Sequence, residues 1–294
     1  MGMGLAVAGA VGSAVCIATS SVLQQRGASR APLGSGLHLG LLAHLVSRPM
    51  WLGGLLAGAG TVALQAVALA SGPLVLVQPL LVCALLFALP ASVLLEKRRP
   101  SLGEWAWALL LVGGLALFLW AARPVTGPPL PDDGRLLQLG AACAAIAAAA
   151  AGFGLGPGRR HRAALLGFAT GIVYGLAASL MKYTIALARI DTAHLLEAWP
   201  AYALLLVSAA AVVLSQAAYQ AGPLAGALPP MIMTNPIVAI IVAVAAFGEH
   251  VATDPVGVTF QVIGASATAL AVVRLAQLAS GRGSRAGGEA PAGS

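Results

Sequence analysis

The sequence predicts an all-α, polytopic membrane fold of about nine transmembrane helices, or ten, arranged as two inverted-topology repeats. Three observations predict it. The 294 residues are 59% hydrophobic and only 9% charged, with a mean hydropathy of +0.92, whereas a soluble domain is nearer 45–50% apolar and about 25% charged. The apolar residues fall into runs long enough to cross a hydrocarbon core of about 30 Å, which takes about 20 helical residues. Finally, a short set of residues recurs at a fixed offset of 150. The composition excludes a disordered chain, which needs low hydrophobicity and high charge. The alternating pattern of a membrane barrel is absent, so helices must satisfy the backbone in lipid.

In chain order the expected spans are Gly4–Val22, Trp51–Ala70, Leu74–Leu95, Trp105–Ala122, Leu136–Phe153, Ala163–Ala186, Ala198–Tyr219, Leu224–Phe247 and Val256–Val273. The first is no cleavable signal, since no positive residue precedes it and no small-residue cleavage site follows cleanly. Leu37–Val46 is apolar on one face but too short to cross, and reads as an interfacial or half-helix. Ala279–Ser294 is rich in Gly, Ser and Ala and is expected to be disordered. The organisation is therefore a first repeat over 1–122, a linking helix and loops over 123–162, a second repeat over 163–278 and a tail from 279.

Charge placement orients the chain. With nine spans and the N-terminus outside, twelve of the sixteen Lys and Arg residues lie inside, among them Lys97, Arg98, Arg99 and Arg274; Arg123, Arg135, Lys182 and Arg189 lie outside. Ten spans would give ten against six, so the positive-inside rule prefers nine and a plasma-membrane carrier with its C-terminus in the cytoplasm. The five tryptophans (Trp51, Trp105, Trp107, Trp120 and Trp199) all sit near span ends, as interfacial anchors do. The net charge of +7 has no basic stripe with interleaved aromatics, so nucleic acid is not an expected partner. Cys16, Cys83 and Cys143 lie apart within apolar runs and indicate neither a disulfide nor a metal site.

The repeat carries the functional reading. Gly72-Pro73-Leu74 recurs as Gly222-Pro223-Leu224, and the same offset joins Leu64 to Leu214, Pro79 to Pro229 and Gly114 to Gly264. Glu96 and Glu249 each follow the next long apolar run, and Ser21-Val22-Leu23-Gln24 answers to Ser179-Leu180-Met181-Lys182. A four-helix unit is thus repeated with one helix inserted, so the copies face opposite ways, an architecture characteristic of alternating-access transporters. Pro79 and Pro90 in the first copy, and Pro229, Pro230 and Pro236 in the second, are expected to break helices and free carbonyls near the site. The few polar residues within spans supply the candidate substrate-binding set: Gln65, Gln78, Lys182, Gln216, Gln220 and Asn235. Lys182 reaches the outer interface or lines a cavity; Glu96 and Glu249 read as interfacial charges that could gate. No carboxylate lies at mid-span, which favours an uncharged or hydrated solute over a bare divalent ion.

These residues resemble the drug/metabolite transporter (DMT, EamA-like) superfamily, closest to its NIPA-type magnesium transporter branch. The resemblance rests on Ser20-Ser21 with Gln24-Gln25-Arg26-Gly27, on Gly72-Pro73 through Val77-Gln78-Pro79-Leu80, and on Glu96. In the second half it rests on Lys182, Gln216 through Ala221, Pro229 and Glu249. It implies a secondary transporter of a small solute, with magnesium or another divalent cation as the alternative. Val62 stands where that branch tends to carry Glu, Gln65 where it carries Asn, and Leu81-Val82 replace its Gly-Ala. A non-transporting scaffold is a further reading. His38, His44, His161, His194 and His250 fall in loops with no HExxH and no nucleophile elbow, so no enzyme and no cofactor are expected. Expected partners are the bilayer and a small-molecule or ion substrate, with a homodimer left open.

Overall fold

A computed structural model of the chain describes residues 2–29, 49–87, 101–156, 162–190, 195, 197–221 and 224–288. Among these residues are nine helices: α1 (Gly2–Ser29), α2 (Pro49–Ser71), α3 (Leu74–Leu81), α4 (Leu102–Ala122), α5 (Asp133–Leu155), α6 (Arg162–Ile190), α7 (Trp199–Gln220), α8 (Leu224–Ala245) and α9 (Pro255–Gly288). No strand occurs among the described residues, only an isolated bridge between Val125 and His250. Six of these helices are long and apolar enough to cross a membrane; Leu74–Phe87, Trp199–Ser215 and Pro229–Ala245 are shorter apolar stretches. Leucines such as Leu56 and Leu206 face outward and are exposed, which suits a surface solvated by lipid tails. The all-helical fold and the membrane location therefore stand. Pro90, Glu96, His38, His44, His161, His194 and the Leu37–Val46 segment lie outside the described residues.

Local chemistry sets the helix ends. Ser101 caps α4 by accepting from the Glu104 backbone N–H, and the Glu104 carboxylate returns the bond to the Ser101 N–H at 2.7 Å, a complete capping box. Asp132 caps α5 through the Arg135 N–H at 3.0 Å. Trp105, Trp107, Trp120 and Trp199 lie within the first or last turns of α4 and α7. Two features add to the sequence reading. Helix α9 runs on to Gly288, ten residues into the segment expected to be disordered; Gly and Ser weaken a helix there, but no proline stops it before Pro291. The prolines also act unequally. After Pro79 the chain leaves α3 through a turn at Val82-Cys83, with i→i+3 bonds from Val82 N to Pro79 O and Cys83 N to Leu80 O, both 3.1 Å. Helix α8, by contrast, passes Pro229, Pro230 and Pro236 unbroken, because each proline there loses one donor without unwinding the turns around it.

Helix directions follow from which residues meet. Ser13 and Ser20 donate to the carbonyls of Thr61 and Gly54 (3.1 and 2.8 Å), so α1 and α2 are antiparallel. Tyr183 donates to Asp133 at 2.7 Å while Gly154 abuts Leu166, so α5 and α6 are antiparallel. Gly167, Gly171 and Gly175 of α6 lie against Ala227, Met231 and Asn235 of α8, always 60 residues on, so those two are parallel. A side chain at any of the three would strike the α8 backbone; the small-residue stripe lets the helices approach closely. Helix α6 is the most buried span, 72% against 17–33% for the other five. It packs on α5, α7 and α8.

Helices α4 and α9 cross in a second close pair. The Arg274 guanidinium lies 5.8 Å over the Trp107 ring, and Trp120 meets Phe260 edge-on at 5.9 Å. Between them Gly114 and Gly264 face each other, each leaving no room for a Cβ on its partner. The order of contacts makes α4 and α9 antiparallel. One end of the bundle, the Glu249 end, gathers alternate helix termini: the N-termini of α1, α3, α5, α7 and α9 and the C-termini of α2, α4, α6 and α8. Adjacent glycines on α4 separate packing from propensity. Gly114→Ala should destabilise the protein by about 1–3 kcal/mol through overpacking. Gly113→Ala, with nothing within 4 Å of the added carbon, should be neutral or stabilise by up to ~1 kcal/mol; thermal melting in detergent distinguishes them.

Candidate functional site

The site at the Glu249 end begins with a helix that cannot cap itself. Gly72-Pro73 ends α2 and starts α3, and Pro73 occupies the N-cap with extended backbone and no side-chain acceptor. The N–H groups of Leu76 and Val77 bond back to the Pro73 carbonyl, both at 3.1 Å. Those of Leu74 and Val75 are left without a local partner, as the first donors of any helix are. Glu249, 174 residues away from Val75, supplies it: Oε1 accepts from Leu74 N at 2.7 Å and Oε2 from Val75 N at 2.9 Å. A carboxylate at a helix N-terminus also meets the favourable end of the macrodipole.

Backbone bonds hold Glu249 there. After α8 the chain turns through Gly248, whose φ of +59° suits glycine, and Glu249 N donates to Ala243 O at 3.0 Å. The loop between α4 and α5 crosses this turn. Val125 and His250 exchange N–H···O bonds of 3.0 and 3.2 Å, and Asp132 N donates to Ala246 O at 2.8 Å. Gly127 lies so close to the Phe247 and Gly248 backbone that a Cβ would collide with it.

Lys182 completes the arrangement. Its Nζ donates to Glu249 Oε1 and lies 5.3 Å from the centre of the Phe247 ring. The Glu249 side chain is fully buried and Lys182 is 12% exposed. This corrects the reading of Glu249 as an interfacial charge: tertiary packing buries it, and a helix terminus plus a lysine from another helix make that burial tolerable. Two turns further along α6, Arg189 Nη1 donates to Ala70 O at 2.5 Å. Between these elements lies a cavity of about 260 Å³, lined among others by Leu69, Gly72, Pro128, Lys182, Ile185 and Arg189.

A second polar feature lies deeper. Gln78 is 1% exposed on α3, one residue before Pro79, and neither its Oε1 nor its Nε2 has a hydrogen-bond partner among the described residues. Asn235, one residue before Pro236 on α8, has a buried Oδ1 in the same condition. Helices α3 and α8 pack on each other, so the two amides belong to one helix pair. Most buried polar atoms are satisfied, so these exceptions call for an explanation.

The remaining sequence candidates are dispersed. Gln65 is half-buried on α2, which packs mainly on α1. Gln216 and Gln220 lie on α7, which packs on α6. Pro79, Pro229 and Pro236 are buried. Sequence reasoning named Lys182 and Glu249 separately and missed their pairing, the Leu74 and Val75 donors, and Arg189 as part of a cavity. The proline at the start of α3 was the available signal, since it leaves two donors to be satisfied from elsewhere.

Removing either member of the ion pair should be unequal in cost. Glu249→Leu strips three donors of their acceptor and should cost about 3–5 kcal/mol. Lys182→Met leaves the carboxylate with two backbone donors and should cost less. The double variant should be closer to Glu249→Leu than to the sum, as coupled sites behave. Thermal denaturation in detergent measures all three.

An uncharacterized protein of Corynebacterium glutamicum is 31% identical over 246 residues, an alignment spanning 83% of this chain and 85% of that protein. No family model matches the chain. No solved structure matches it significantly. The chain belongs to the same family as that Corynebacterium glutamicum protein.

Proposed function

We propose that the protein is a secondary transporter of the drug/metabolite type, moving a small solute across the plasma membrane by alternating access through nine spans. One observation carries the reading. Gly114 and Gly264, offset by 150, face each other where antiparallel α4 and α9 cross. A residue touches its own repeat mate only on an axis relating the two copies, and antiparallel mates make that relation an inverted one. The remaining packing supports the same symmetry: α1 on α2 answers to α6 on α7, α1 on α3 to α6 on α8, and α3 pairs with α8. The alternation of termini at the Glu249 end supports nine crossings. The placement of Arg123, Arg135, Lys182 and Arg189 at or near that end supports its lying outside.

In this reading the Lys182–Glu249 pair is a closure at the outer end, joining α3, α6 and the turn after α8. Opening there requires α3 to part from Glu249. The Gln78 amide and Asn235 Oδ1, without partners among the described residues, are then available to a solute reaching the α3–α8 pair.

Flux of a solute panel, magnesium included, into proteoliposomes is the primary test; the expected result is saturable transport of at least one small solute. Single cysteines beside Pro79 and Pro229, in a chain freed of Cys16, Cys83 and Cys143, should react from both membrane sides in alternation. Labelling from one side only, unchanged by solute, would count against alternating access. Gln78→Leu should keep or raise stability, because an unsatisfied buried amide costs about 1–3 kcal/mol, yet it should abolish flux. A purely structural Gln78 would not separate the two readouts.

A further inference from the structure

The cavity at the Glu249 end has cationic side chains in its wall. Among its described lining residues are two cations, Lys182 and Arg189, and no carboxylate; the rest of the described wall is largely apolar, with Leu69, Pro128, Ile185 and Ile190. Glu249 is not among its lining residues, and its side chain is fully buried. Arg189 uses Nη1 on Ala70 O, and a guanidinium has five N–H donors in all, so others remain for a ligand.

The ion pair is unequal in a way that matters here. Glu249 is held by three donors, two of them backbone N–H groups of α3. It stays satisfied if Lys182 turns away. Lys182 has one carboxylate and one aromatic face as partners and is the member that lines the cavity. An incoming anion can therefore share or take Lys182 without stranding Glu249.

We propose that this cavity is a binding site for a small organic anion, a carboxylate or phosphate ester with an apolar body, held by Lys182 and Arg189. About 260 Å³ is below the usual span for drug-sized ligands, roughly 300–1,000 Å³, and suits a small solute or a single lipid headgroup. The proposal goes beyond the carrier reading and is tested without flux. A chain that binds the anion but moves no solute keeps this site and loses the carrier; flux without anion binding does the reverse.

The test titrates the purified full-length chain in neutral detergent with benzoate, phenyl phosphate and benzamide, followed by calorimetry. Saturable binding of at least one of the two anions, and none of benzamide, is expected. Lys182→Gln and Arg189→Gln should each weaken it about tenfold, the loss of one charge-assisted hydrogen bond. Glu249→Gln should tighten it several-fold by removing the internal competitor, an effect that a merely structural carboxylate would not produce. Arg189→Gln leaves the ion pair intact and keeps the test meaningful if Lys182→Gln does not fold. Equal binding of benzamide, or anion binding indifferent to both cation substitutions, overturns the proposal. Repeating the titration in nanodiscs of phosphatidylglycerol and of phosphatidylcholine separates the sources. Suppression by phosphatidylglycerol identifies a headgroup as the occupant, and unchanged binding in both identifies a soluble anion.

Discussion

A helix that begins at a proline presents unpaired N–H groups, and inside a bilayer water is not there to take them. The Glu249 carboxylate meets those of Leu74 and Val75, and through Lys182 it ties α6 to the same point. Three separate parts of the chain are thereby fixed to one buried carboxyl group. Without the carboxylate the start of α3 would be stranded, and without the helix and the lysine the carboxylate would be buried with no partner. Much of the Glu249 end is arranged around this requirement. The αL turn at Gly248 and the close passage of Gly127 and the Val125–His250 bridge over it hold Glu249 in position.

Elsewhere the fold is held by closeness more than by polar bonds. Lipid tails are as apolar as leucine, so burying leucine contributes little to helix association in a membrane, and packing takes its place. Gly167, Gly171 and Gly175 bring α6 onto α8, and Gly114 and Gly264 bring α4 onto α9. The two devices differ in consequence. The first makes a tight parallel pair, and the second an antiparallel one.

The helices were largely legible in the chain, because apolar runs bounded by charge and tryptophan have one stable form in a bilayer. The α9 extension to Gly288 was not, since a Gly- and Ser-rich segment is permissive of both helix and coil. The prolines were half legible: their positions are plain, but whether a helix breaks depends on its neighbours, so α3 turns after Pro79 while α8 runs straight through three. The site was legible as a list and not as an arrangement. Lys182 and Glu249 stood out as charges near span ends, yet their 67-residue separation concealed the bond. Gln65, Gln216 and Gln220 looked equivalent to Gln78 and Asn235 until packing placed them on different helix pairs.

Composition and the lengths of the apolar runs together pointed to a helical chain in a membrane, since 59% apolar residues with 9% charge suit no aqueous fold and the runs lack a barrel's alternation. The repeat offset, too, is a property of the sequence. Which charges become partners, which amides go without, and where a cavity opens were decided only by the tertiary structure. Those are questions of distance between residues far apart in the chain, and an apolar run of twenty residues has nothing in it that records which neighbour its few polar atoms will meet.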